Sequence, residues 1–130
     1  MKLVTKTIFE TKTICETIFV GIYSIIIATT VISFQLDIIS FLFITGFTKH
    51  FIGYIIGLHS FFCNKKCSRT INTLIIESII EGLLFLIFGY IFYTNNIIRT
   101  IFYTSVFLHI CGELFNIHTF FCKNNCSVIN

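Results

Sequence analysis

HFIGYIIGLHSFFCNKKCS, residues 50–68, returns as HICGELFNIHTFFCKNNCS, residues 109–127. The pattern H-x2-G-x5-H-x3-C-x3-C is kept without a gap, at an offset of 59 from His50 to His109. Upstream, Asp37-Ile38-Ile39 matches Asn96-Ile97-Ile98 at the same offset. Further back, Glu16-Thr17-Ile18 and Gly21 match Glu77-Ser78-Ile79 and Gly82 at 61, so the loop between differs by two residues. The chain reads as a tandem duplication, and a repeat of this kind decides architecture before any single residue does. A lead-in occupies residues 1–16, the first unit 17–70 and the second 71–130.

Each unit is greasy enough to live in lipid. Hydrophobic residues make up 55% of the chain and charged residues 12%, with a mean hydropathy of +0.92. A soluble domain carries roughly twice that charge. Four apolar stretches stand out near Thr17–Leu36, Ile38–Phe62, Leu74–Thr94 and Ile97–Phe121. At 1.5 Å per residue, about 20 residues cross a hydrocarbon core of roughly 30 Å. The runs are too long for barrel strands and do not alternate in polarity. Within lipid every backbone amide needs an internal partner, which leaves helices. The expected fold is all-α: a four-helix transmembrane bundle of two tandem helical hairpins, related by a pseudo-two-fold axis along the membrane normal.

Charge sets the orientation. Lys2, Lys6, Lys12, Lys65, Lys66, Arg69 and Lys123 fall on one side of a chain that crosses four times, and Asp37 and Arg99 on the other. The positive-inside rule then puts both termini in the cytosol. The net charge of +3 is explained by topology and implies no nucleic acid; the expected partners are the bilayer, further copies of the chain or other membrane proteins. No signal-peptide pattern follows the basic start, because Glu10 and Glu16 interrupt it. Abundant Ile, Phe, Asn and Lys have AT-rich codons, so a viral or bacterial membrane is the expected setting.

Small and polar residues mark one face of the second and fourth spans. Gly46, His50, Gly53 and Gly57 match Ser105, His109, Gly112 and Asn116, and each set falls within about 60° of helix azimuth. Small residues allow close backbone approach in lipid, and Gly53-x3-Gly57 is a GxxxG pair. These faces are expected to meet, with His50 near His109. Three readings of the intramembrane polar groups His50, His109, Glu113 and Lys49 stand open: a structural staple with a His109–Glu113 hydrogen bond, a proton or cation path, or an intramembrane metal. Lys49 stands about 100° from the His50 face, apart from such a path. On continuous helices His50 and His59 are half a turn out of phase, as are His109 and His118, so neither pair shares an ion.

His59, Cys63 and Cys67 recur as His118, Cys122 and Cys126, each a stripe if the helix runs on. Convergence on the axis gives three readings: a shared zinc site, disulfides within or between hairpins, or unmodified or acylated cysteines. Cys15 and Cys111 have no counterpart and read as packing residues. Phe61, Phe62, Phe120 and Phe121 read as interfacial anchors.

No Gly-rich phosphate loop, HExxH or nucleophile elbow is present, and Glu77 and Glu81 read as helix N-terminal charges. Membrane thiol oxidoreductases with four helices use C-x2-C, against the C-x3-C here. Ile56-Gly57-Leu58-His59 and Phe115-Asn116-Ile117-His118 resemble the ending of a family of small bacterial and viral membrane proteins of unknown function, each one two-helix hairpin closing in Tyr-Tyr-x-His-Glu. The tyrosine pair, the following glutamate and the family's Glu-x3-Lys are missing here. That resemblance implies a hairpin for each unit and no activity. The sequence thus points to a non-enzymatic membrane protein with a structural or interaction role, with a small channel or transporter as the alternative and a thiol oxidoreductase as a third.

Overall fold

Asp37 and Asn96, matched at the head of the second helix of each unit, both cap a helix. Asp37 accepts from the Ser40 amide at 3.2 Å, and Asn96 Oδ1 accepts from the amides of Ile98 and Arg99. A side-chain acceptor at this position satisfies amides that the first turn leaves open. Hydrogen bonds from Ser40 also hold the Asp37 carboxyl below its usual range. Thr70 caps in the same way, accepting from the Thr73 amide.

The computed structural model describes residues 11–63, 66–68 and 70–127. Among them are six helices: α1 Thr11–Ile32, α2 Ile38–Ile55, α3 Leu58–Cys63, α4 Ile71–Ile91, α5 Ile97–Leu114 and α6 Ile117–Asn125. Strand β1, Lys66–Cys67, pairs antiparallel with β2, Cys126–Ser127, with Cys67 opposite Cys126. Lys2, Lys6, Lys65 and Arg69, together with the first ten residues of the lead-in, lie outside the described residues. The fold is therefore all-α apart from one short ladder. Four helices are long and apolar enough to cross a membrane: Lys12–Ile32, Ile38–Ile55, Ile71–Ile91 and Ile97–Leu114. On α1 and α4 the residues Ile22, Ile26, Ile76, Ile80 and Ile87 are at least half exposed, forming an apolar outer surface.

The spans differ from expectation at two kinds of place. Helix α1 starts inside the lead-in, at Thr11, and ends at Ile32 in a turn where Gln35 takes φ 52°. The second and fourth apolar stretches do not run on to Phe62 and Phe121. They break at Gly57, with φ +83°, and at Asn116, with φ 55°. Gly and Asn enter this left-handed region at least cost, and both are common at helix C-termini. The expected continuous His-Cys-Cys stripes are thus each split between a short helix and a strand.

The pairing of helices also corrects the expectation. Helix α2 packs chiefly on α4 and α1 chiefly on α5, and the second and fourth spans are not a principal pair. A methyl added at Gly46 would strike Phe85 Cβ and stand 2.9 Å from the Glu81 carbonyl oxygen, so Gly46 seats α2 on α4. Ser105 is fully buried and hydrogen-bonds Ser24, so it seats α5 on α1. Gly21 receives the Phe102 ring and Gly82 the Phe43 ring; Gly89 receives Leu42. Gly53 faces Tyr23 and Leu58 at ordinary contact, while Gly57 and Gly112 have nothing within 4 Å and Asn116 ends its helix. The physical reason is that a small residue permits close approach without choosing the helix that approaches. In this bundle, large rings from the partner fill those gaps.

The core is displaced toward the end that carries the two interhelical turns. Ile27, Ala28, Val31, Phe41, Leu42, Phe85 and Ile101 form one buried apolar cluster there. Its counterpart at the cysteine end is a cavity.

Candidate functional site

The helix breaks at Gly57 and Asn116 determine what the histidines can reach. A left-handed residue turns the chain, so α3 and α6 leave the axes of α2 and α5. His59 then folds back beside His50, their ring centroids 4.8 Å apart. His118 folds back onto Glu113, with Nδ1 at 2.8 Å from Oε1. Phase on an unbroken helix forbids both contacts; the break removes that restriction. The signal was present in the sequence, since a Gly and an Asn stand at the same repeat position just before each second histidine.

These groups line one cavity of about 450 Å³. Its lining includes Tyr23, Lys49, His50, Glu81, His109 and Glu113, together with His59, His118 and Cys63. Lys49 is not set apart: its Nζ lies 2.8 Å from Glu81 Oε1 and 5.5 Å from the centre of the Phe85 ring. The Tyr23 hydroxyl donates to the Lys49 carbonyl oxygen at 3.1 Å. His50 Nε2 stands 3.6 Å from Glu77 Oε2. Glu77 and Glu81 lie well inside α4, which starts at Ile71, so they are cavity partners of α2 rather than helix-terminal charges. His109 Nε2 is 4.0 Å from Glu113 Oε1, beyond hydrogen-bond reach, so the expected staple is replaced by the Glu113–His118 contact. That hydrogen bond, accepted by Glu113, raises the His118 pKa above its ordinary value, against partial burial.

The four repeat cysteines do converge. Cys63 is bonded to Cys122 and Cys67 to Cys126, with Cα atoms 5.4 and 4.0 Å apart. Each bridge joins matched positions, 59 residues apart. Cys15 and Cys111 are free. The donor atoms of Cys63, Cys67 and Cys126 lie within 4.8 Å of one another, as do those of Cys63, His118 and Cys122. Such groups are close enough to hold a metal ion, once the thiols are reduced to ligating thiolates. His59 lies instead against His50 and Phe121 and belongs to neither group. Of the aromatic anchors, Phe61 and Phe120 are exposed; Phe62 and Phe121 turn inward and line the cavity.

Sequence reasoning assigned no cavity role to Tyr23, Glu77 or Glu81. The matched pair Glu16 and Glu77 was the available signal, because a carboxylate kept in both copies of an apolar helix needs a buried partner. Comparison of the chain with protein-family models, curated proteins and solved structures gives no match.

Proposed function

We propose that this chain is a multi-pass membrane protein of two duplicated hairpins, set about a pseudo-two-fold axis, with a structural or interaction role and no catalysis of its own. The observation that carries the reading is the division of the bundle. An apolar surface faces outward, a cavity that holds Lys49, Glu81, Glu113 and the four histidines occupies the cysteine half, and an apolar core fills the other half. In water, that exposed apolar surface would cost about 25 cal/mol per Å²; in a bilayer it is the contact surface.

Recurrent contacts support the symmetry. Gly21 with Phe102 and Gly82 with Phe43 are the same contact at matched positions. An antiparallel register with Cys67 opposite Cys126 is what a two-fold axis through that pair generates. Both termini then lie on one side, and Lys12, Lys66 and Lys123 favour the cytosol for it. Cytosolic thiols are ordinarily reduced. In that compartment the cystines persist only where a local oxidant maintains them, as in a virus with its own thiol oxidation. Where they open, zinc is the ion that thiolate and imidazole donors at this end favour.

Channel function is the competing role for the same cavity. It requires a polar path to the far end, where the described residues form the apolar cluster around Leu42 and Ile101. Purified protein in liposomes tests the choice through proton and cation flux. The expected flux equals that of empty vesicles. Flux above that level, abolished by His50→Ala with His109→Ala, would replace the structural role with conduction.

A further inference from the structure

A second set of donors lies apart from the cysteines, and two of its members, His109 and Glu113, line the cavity. Glu16 comes from α1, and His109 and Glu113 come from successive turns of α5. One carboxylate oxygen from each glutamate and one His109 ring nitrogen lie within 4.8 Å of one another. Their side chains are 14%, 15% and 12% exposed. His109 Nε2 is buried without a hydrogen-bond partner among the described residues. A buried polar nitrogen left open is costly and calls for an explanation.

The α2–α4 pair shows what this cluster lacks. At matched positions it has Glu77, His50 and Tyr54, so tyrosine stands where Glu113 does. It also carries its own buried cation, Lys49, which pairs with Glu81. In the α1–α5 pair the place of Lys49 is taken by Leu108 and that of Glu81 by Val20. Two carboxylates therefore flank one imidazole, and among the described residues no buried lysine forms an ion pair with either. Lys12 reaches Glu16 at 3.8 Å, but its side chain is 75% exposed. His118 binds Glu113 from outside the triad, as an outer hydrogen-bond partner that orients a ligating carboxylate.

We propose that Glu16, His109 and Glu113 form a site for a divalent first-row transition ion, open on its remaining side to the cavity. Nitrogen and carboxylate donors suit zinc, cobalt, manganese or ferrous iron, and metal–ligand distances of about 2.0–2.2 Å are reached by small side-chain rotations from the present spacing. The bound ion occupies the electrostatic role that Lys49 has in the α2–α4 pair. The site goes beyond the membrane reading, uses none of the cysteines, and stands or falls separately from the flux result.

The test uses the full chain in detergent under non-reducing conditions, stripped with chelator and titrated with Co²⁺. Visible absorption and elemental analysis are the readouts. The expected result is one equivalent bound, with a nitrogen–oxygen ligand-field spectrum and no thiolate charge-transfer band. Glu113→Gln, His109→Ala and Glu16→Gln each weaken binding roughly tenfold or more, while Tyr54→Phe leaves it unchanged. Far-UV circular dichroism selects the variants that fold. Absence of stoichiometric binding by the wild type, a thiolate spectrum, or unchanged affinity in a folded Glu16→Gln or Glu113→Gln variant would overturn the proposal.

Discussion

Lys49 and Glu81 of the α2–α4 pair match Leu108 and Val20 of the α1–α5 pair, and all four side chains line the cavity. Removing one member of a buried ion pair leaves the other charge uncompensated, whereas replacing both with apolar groups does not. Lys49→Leu alone is expected to destabilise by about 3–5 kcal/mol, and Lys49→Leu with Glu81→Val to be neutral or stabilising by about 1–4 kcal/mol. Thermal unfolding in detergent, run as a double-mutant cycle, checks both. His118 gives a pH prediction. Its pKa is raised in the folded protein by the Glu113 hydrogen bond, with Glu16 adding to the effect and Lys12 opposing it. The stabilisation is fully present below the ordinary value of 6.5 and is lost as pH rises through the raised folded value. Glu113→Gln is expected to flatten that part of the stability–pH profile. The histidines, Lys49 and Glu113 were legible as a polar set from residue type alone. Their contacts were not, because Gly57 and Asn116 change the direction of the chain between them.

At the scale of helices, the glycines divide by what faces them. Gly46→Ala is expected to cost about 1–3 kcal/mol, since backbone and Cβ atoms of α4 stand in the way. Gly112→Ala, with open space around it, is expected to stabilise by up to about 1 kcal/mol through helix propensity. Denaturant or thermal melts of the two variants should therefore move in opposite directions. Four apolar spans and their caps could be read directly, as Asp37 and Asn96 illustrate. The partner of each span could not. The small face on the second and fourth spans suggested that they meet, but Gly46 of the second span meets Phe85 of α4, and these two spans themselves send Phe43 to Gly82 and Phe102 to Gly21. A one-dimensional pattern records where a helix is narrow and leaves open which neighbour fills the space.

For the whole molecule, the cystines tie α3 to α6 and β1 to β2 at one end, at positions 59 residues apart. Breaking both bridges with reductant is expected to lower stability by about 2–4 kcal/mol per bridge, seen as a lower unfolding temperature in detergent. The same four sulfur positions report the arrangement of the hairpins directly. Membranes containing the full chain, treated with copper phenanthroline and digested for mass spectrometry without reduction, give the cross-link map. Side-by-side hairpins facing the same way predict Cys63 joined to Cys122 and Cys67 to Cys126. Bridges confined within each hairpin, Cys63 to Cys67 and Cys122 to Cys126, would contradict it.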